Sequence, residues 1–206
     1  MFGEIRTGLI VSADGGKNPP RSDRQGALVV SQDGGKYEEP GLRKQLCFSY
    51  SAARATSVPA TAQIGNIIWN PPGSGVNLSL CKWSAQIQVT SATTLGITLG
   101  YSAQASAPTT TTVADSYGST FLDAGAPGRC AARAYAIATL LVVPTVVMNL
   151  FHNTAAIATT GIDQAHGDLD GMFVIPPGYI ACFSAITAAV AAVGMTSTIT
   201  WKEIPV

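Results

Sequence analysis

The sequence predicts an all-β fold: an antiparallel β-sandwich or jelly roll over residues 46–206, preceded by an extended N-terminal arm over residues 1–45. Three observations lead there. From about Leu46 the chain runs in short apolar stretches broken by turn signals, the pattern of an all-β domain. No segment carries the 3.6-residue apolar repeat of an amphipathic helix. Two proline–glycine corners, Asn70-Pro71-Pro72-Gly73-Ser74-Gly75 and Pro176-Pro177-Gly178, are places through which neither strand nor helix continues. At 206 residues the chain is long enough for one good core with an appendage.

The arm contains an internal repeat. Leu9-Ile10-Val11-Ser12-Ala13-Asp14-Gly15-Gly16-Lys17 recurs as Leu28-Val29-Val30-Ser31-Gln32-Asp33-Gly34-Gly35-Lys36. Each copy reads as a short β-stretch running into an Asp-Gly-Gly turn, where glycine takes the φ > 0 positions of a tight hairpin. The linking stretch Lys17 to Arg24 is polar and proline-bearing, and does not pack alone. The plain reading is two similar turns. The sharper one is an arm that pairs with or lies against neighbouring chains, with Leu9, Val11, Asp14, Gly15, Leu28, Val30, Asp33, Gly34 and Tyr37 as its interacting residues.

Strands are then expected at Leu46–Ser51, Ile67–Trp69, Val76–Ser84, Ala85–Ser91, Thr94–Tyr101, Arg133–Val143, Thr145–Asn149, Gly171–Ile175, Ile180–Thr187 and Thr196–Glu203. Trp83 to Thr90 approaches the alternation of a strand with one wet face. Ala134 to Phe151 has nearly the length of a membrane span, but Pro144 at its centre and its β-branched residues suit two short strands better. Ala185–Ala192 has helix-forming alanines, yet its Thr, Val and Gly neighbours favour strand. Ser106 to Thr120 reads as a long exposed loop.

Charge separates the two parts. Charged residues make up 12% of the chain, about half the usual share. Of twelve basic and twelve acidic residues, fourteen lie within residues 1–54. A body so poor in charge tends to self-associate, and charge depletion also marks the cores of protein interfaces. Zero net charge without a Lys/Arg cluster argues against nucleic acid as a partner. It argues equally against a membrane-surface patch. No basic segment leading into an apolar stretch opens the sequence, so a secretory signal is not expected.

Candidate chemistry is sparse. Cys47, Cys81, Cys130 and Cys182 show no C-x-x-C spacing, which excludes zinc-ribbon and thioredoxin patterns, and buried free thiols are expected. Gly73-Ser74-Gly75 lacks the following helix of a phosphate loop and reads as a turn. Asp163, His166, Asp168 and Asp170 are weak metal candidates in what reads as a turn-rich exposed loop; their spacing matches neither an EF-hand nor a zinc motif. No nucleophile elbow and no defensible carboxylate pair occurs. The expectation is a non-enzyme without a cofactor. Trp69, Trp83 and Trp201 fall in strands, where packing is their expected role.

Three stretches resemble virion structural proteins of tailed bacteriophages. They are Ala27-Leu28-Val29-Val30-Ser31 leading to Gly35-Lys36-Tyr37-Glu38-Glu39, then Ile68 to Leu78 around Asn70-Pro71-Pro72-Gly73, and the C-terminal Trp201-Lys202-Glu203-Ile204-Pro205. The family's terminal aromatic is followed by an acidic pair, from which Lys202 departs. The resemblance implies a virion component assembled in the bacterial host cytoplasm, with no catalytic residues. A capsid decoration (cement) protein, a homotrimer clamping subunits of the major capsid protein, suits the charge-poor body and repeat-bearing arm. A tail-associated or receptor-binding component is the alternative. A carbohydrate-active enzyme or lectin on a jelly-roll scaffold is a third reading, because fold does not decide function.

Overall fold

The computed structural model describes residues 45–55, 58–87, 95–120, 130–153, 163–185 and 194–206. The arm's named residues, Leu9 to Tyr37, and the alanine-rich run beyond Ala185 lie outside them.

The described strands form two antiparallel sheets. The first orders β6 (Ser116–Ser119), β1 (Leu46–Ala55), β12 (Gly194–Pro205) and β3 (Val76–Ile87), with β9 (Asp163–Asp168) and β10 (Val174–Ile175) sharing the far side of β3. The second orders β5 (Thr109–Val113), β7 (Arg133–Thr139), β2 (Ala62–Asn70), β11 (Tyr179–Ala185), β4 (Leu95–Ala103) and β8 (Thr145–Asn153). Setting aside β5, β6, β7 and β10 leaves two four-stranded sheets, β1-β12-β3-β9 and β2-β11-β4-β8. Along the chain these strands alternate between sheets except for the neighbours β4 and β8, which is the jelly-roll order. The fold class expected from the sequence is the fold observed.

Period-2 patterning builds the core. Along β12, Met195, Ser197, Ile199 and Trp201 are buried while Thr196, Thr198 and Thr200 are half-buried on the other face. Trp201 is fully buried, and Trp83 meets Phe183 of the opposite sheet edge-to-face at 6.5 Å. All three tryptophans are buried in strands. Asn66 crosses the sandwich as well. Its Nδ2 donates to the carbonyl oxygens of Ser49 (3.1 Å) and Ser197 (3.3 Å), and its Oδ1 accepts from Ser49 Oγ (2.7 Å).

The two central strands of the second sheet, β2 and β11, are covered on both faces. Residues 65–70 of β2 and 180–185 of β11 are continuously buried, which explains why their sequences are apolar without alternation. Ile67, Trp69, Ile180 and Cys182 form a separate cluster with Ala138 and Leu140. The connection leaving β4 holds this layer: Trp69 Nε1 donates to Gln104 O (2.9 Å), and Gln104 Oε1 accepts from Leu141 N (2.9 Å). Pro144 separates β7 from β8, as the sequence predicts.

The two proline–glycine corners are neighbours in space. Asn70 O accepts from Gly178 N (2.8 Å), while Asn70 Nδ2 donates to Ile175 O (3.0 Å) and Val76 O (2.9 Å). One asparagine thus ties both ends of its own turn to the other. Gly73 and Gly75 adopt φ of 76° and 72°, as the turn reading requires.

Three expectations are corrected. Ser106 to Thr120 is not a loop throughout, since β5 and β6 lie within it, pairing with β7 and β1. Residues 163–168 are strand β9, not an exposed loop. The expectation of free thiols fails for half the cysteines: Cys47 and Cys130 form a disulfide, while Cys81 and Cys182 are free and buried. The disulfide links β1 to the turn before β7. Glu203 fixes that turn, its carboxylate accepting from the backbone N–H groups of Ala131 and Ala132, both at 3.1 Å.

Cys182 is held in the thiol form. Burial pushes its pKa up to about 12 from 9.0, partly opposed by the hydrogen bond to Ser184. Alkylation at pH 8 is therefore expected to be about a thousandfold slower in the native chain than in the unfolded one. Mass spectrometry of the modified peptide reads this directly, and equal rates would show the thiol to be accessible. Because the folded pKa is raised, the associated stability is present below about pH 9. It is lost as pH rises toward about 12.

Candidate interaction surfaces

One surface is apolar and centres on β8. Leu140 is buried against the Ile67–Trp69 cluster, but the apolar run continues past the point where there is core to receive it. Leu141, Val142, Val143, Val146 and Val147 are all exposed, from 40% at Val147 to 58% at Leu141. A contiguous strip of this kind marks an interaction site more often than scattered single residues do.

Among the described residues β8 is also the outermost strand of its sheet, paired with β4 on one side. Soluble proteins protect such edges with Lys, Pro, short length or a cover. The nine residues Thr145–Asn153 contain no Lys, Arg, Asp, Glu or Pro. Met148, Leu150 and Phe151 of the same strand pack against the core, so β8 is anchored, and its pairing with β4 is interrupted by two bulges, at Leu150 and Val147.

Beside this edge lies a groove of about 340 Å³. Leu99, Tyr101, Val147 and Tyr179 line it from the second sheet, and Phe173 and Ile175 from the β10 segment of the first. No residue of the lining is charged. The volume is near the lower end of small-ligand pockets, ~300–1,000 Å³. The composition suits aliphatic side chains.

The second surface is polar and lies on the outer face of the first sheet. Lys82, Ser84, His166, Asp168, Thr198 and Thr200 surround a cleft of about 290 Å³. The register explains the grouping, because Lys82 pairs with both Asp168 and Thr200, and Ser84 with both His166 and Thr198. Lys82 Nζ lies 3.6 Å from Asp168 Oδ1, with both side chains about half exposed. Such a solvated pair contributes about 0–1 kcal/mol. Gly167 is needed here, since a Cβ at that position would lie 2.7 Å from Trp83 Nε1.

The residues expected as weak metal ligands are only partly brought together. His166 and Asp168 share the outer face of β9, whereas Asp170 follows in the turn at φ 49°. Asp163 starts the strand opposite Ile87. Among the described residues, the group of three ligand-type atoms close enough for a metal is Cys47, Cys130 and Glu203. There the sulfurs are bonded to each other and the carboxylate receives backbone N–H groups. No spacing signal could have found that group, because the disulfide spans 83 residues. The groove was equally invisible, because its walls come from separate sheets.

No protein-family model, curated protein or solved structure matches the chain. The fold class therefore stands on the strand order itself, and the function on the surfaces just described.

Proposed function

We propose that this chain is a non-enzymatic structural subunit of a phage-type particle, acting as a capsid decoration (cement) protein that clamps neighbouring capsid subunits. The observation that carries the reading is the uncharged apolar surface running from Leu141 to Val147 at the start of β8. A surface of that kind is stabilised when another protein covers it. The disulfide fits the same reading, because such bonds persist on virion surfaces after release from a reducing cytoplasm.

When produced together with the major capsid protein of its phage, the chain is expected to co-sediment with empty heads. Heads lacking it should disrupt at lower temperature or lower chelator concentration. Sedimentation as free protein, with heads of unchanged resistance, would rule the role out.

The alternative is a tail-associated component that binds a host-surface polysaccharide. The polar cleft over β3, β9 and β12 favours it, offering hydroxyls, an imidazole and an ion pair to a polyol ligand. Location at the tail and retention on immobilised host polysaccharide would decide for this second reading.

A further inference from the structure

The geometry points to a zinc site in the reduced chain, built from the thiolates of Cys47 and Cys130 and the carboxylate of Glu203, which the disulfide replaces on oxidation. The inference is independent of the particle role proposed above.

Folding brings the three ligands together from separate elements. Cys47 is buried on β1, opposite Trp201 of β12. Glu203 follows Trp201 by two residues, so it shares the inward face of β12 and is the diagonal neighbour of Cys47. Cys130 comes from the turn before β7, which the Glu203 carboxylate holds through the N–H groups of Ala131 and Ala132. One ligand atom from each of the three lies within 4.8 Å of the other two. Two thiolates on a tetrahedral zinc ion, with Zn–S near 2.3 Å, stand about 3.8 Å apart. That separation falls inside the cluster, so side-chain rotation suffices once the S–S bond is open.

The carboxylate is set as a ligand. Metal-binding carboxylates are oriented by hydrogen bonds from a surrounding shell. Here Oε1 accepts from Ala132 N (3.1 Å) and stands 3.5 Å from Trp201 Nε1, while Oε2 accepts from Ala131 N (3.1 Å). A carboxylate oxygen accepts two bonds, so Oε2 keeps a position for the metal. Two thiolates with one carboxylate select zinc over magnesium or calcium, which take oxygen ligands. Cys47 is fully buried, whereas Cys130 and Glu203 retain slight exposure, which leaves the fourth tetrahedral position to water.

Metal and disulfide exclude each other because they use the same two sulfurs. Zinc binding releases one proton from each thiol. A low-molecular-weight disulfide such as oxidised glutathione then takes two electrons from the two thiolates through a mixed disulfide. The S–S bond forms, the oxidant leaves as two thiols with two protons from water, and the zinc ion returns to solvent. The link between β1 and the turn before β7 is thus made by metal in a reducing compartment and covalently in an oxidising one.

The test is cobalt titration of the full chain, reduced and then freed of reductant under anaerobic conditions. Stoichiometric binding is expected, with thiolate-to-cobalt charge transfer in the near ultraviolet and the strong visible bands of a tetrahedral site. An equal amount of zinc should abolish both, and the oxidised chain should show neither. Cys47→Ser and Cys130→Ser should lose the bands, and Glu203→Gln should bind about 10–100-fold more weakly. A Cys81→Ala, Cys182→Ala double variant, lacking the two free thiols, should bind like the parent. A reduced chain without the bands, bands that persist when Cys47 and Cys130 are both replaced, or full affinity in Glu203→Gln would overturn the site. Urea unfolding gives a second readout that needs no variant. Zinc should raise the midpoint of the reduced chain and leave that of the oxidised chain unchanged. A reduced chain whose midpoint ignores zinc overturns the inference even where a variant fails to fold.

Discussion

Replacing Cys47 and Cys130 together by serine is expected to lower the unfolding free energy by about 2–5 kcal/mol, as removal of native disulfides from small domains does. The bond closes a loop of 83 residues. On chain-entropy grounds, releasing a loop of that length gives the unfolded ensemble about 4.5 kcal/mol of additional freedom. Native domains carry only ~5–15 kcal/mol of net stability, so the change is a large fraction of the total. In urea, the parent chain should unfold at a lower midpoint with reductant than without, and the double variant should match the reduced parent. Midpoints that do not respond to reductant, or alkylation of all four cysteines in the chain denatured without reductant, would show that the bond is not formed in solution.

Substitution of Asn66 is expected to have an effect of similar size for an opposite reason. Its amide is the polar tie between β2 and strands β1 and β12. Leucine at this position removes the hydrogen-bond partner of Ser49 Oγ and the donor shared by two carbonyl oxygens. Ser51 Oγ and Ser197 Oγ already lack partners among the described residues and offer no replacement acceptor or donor network. At roughly 1–3 kcal/mol for each buried polar group left unsatisfied, Asn66→Leu should cost about 2–4 kcal/mol in denaturant unfolding. Asn66→Asp should be worse near neutral pH, because its carboxylate would face the two carbonyl oxygens. Those neighbours and burial raise its folded pKa, so its stability should recover as pH falls and disappear as pH rises. If Asn66→Asp unfolds at the same midpoint at pH 4 and pH 7, the inter-sheet tie is not made by this amide.

The legible part of the fold was the part governed by local chemistry. β12 alternates threonine with core residues over one full strand, and the Asn70-Pro71-Pro72 and Pro176-Pro177-Gly178 corners permit only turns. β9 was not legible, because Asp-Gln-Ala-His-Gly-Asp has the composition of a loop. It is a strand because β3 offers a pairing edge, with glycine at the one place where the Trp83 indole leaves no room for a Cβ. β5 reads Thr-Thr-Thr-Thr-Val and is exposed throughout, so no buried face imprinted an alternation on it.

By itself the sequence determined an all-β chain, with its strand-breaking corners and a body nearly empty of charge, because turn chemistry and side-chain polarity are local properties. Tertiary structure alone decided which cysteines meet across 83 residues and which half of the Leu140–Val147 run is core. Leu140 and Leu141 are the same residue type in adjacent positions, yet one is buried and the other is the most exposed residue of the strip. The difference is that Leu140 joins the cluster of Ile67 and Trp69, whereas Leu141 lies outside it. Burial is a property of the neighbours that folding supplies, and the apolar surface proposed for assembly exists because those neighbours end at Leu140.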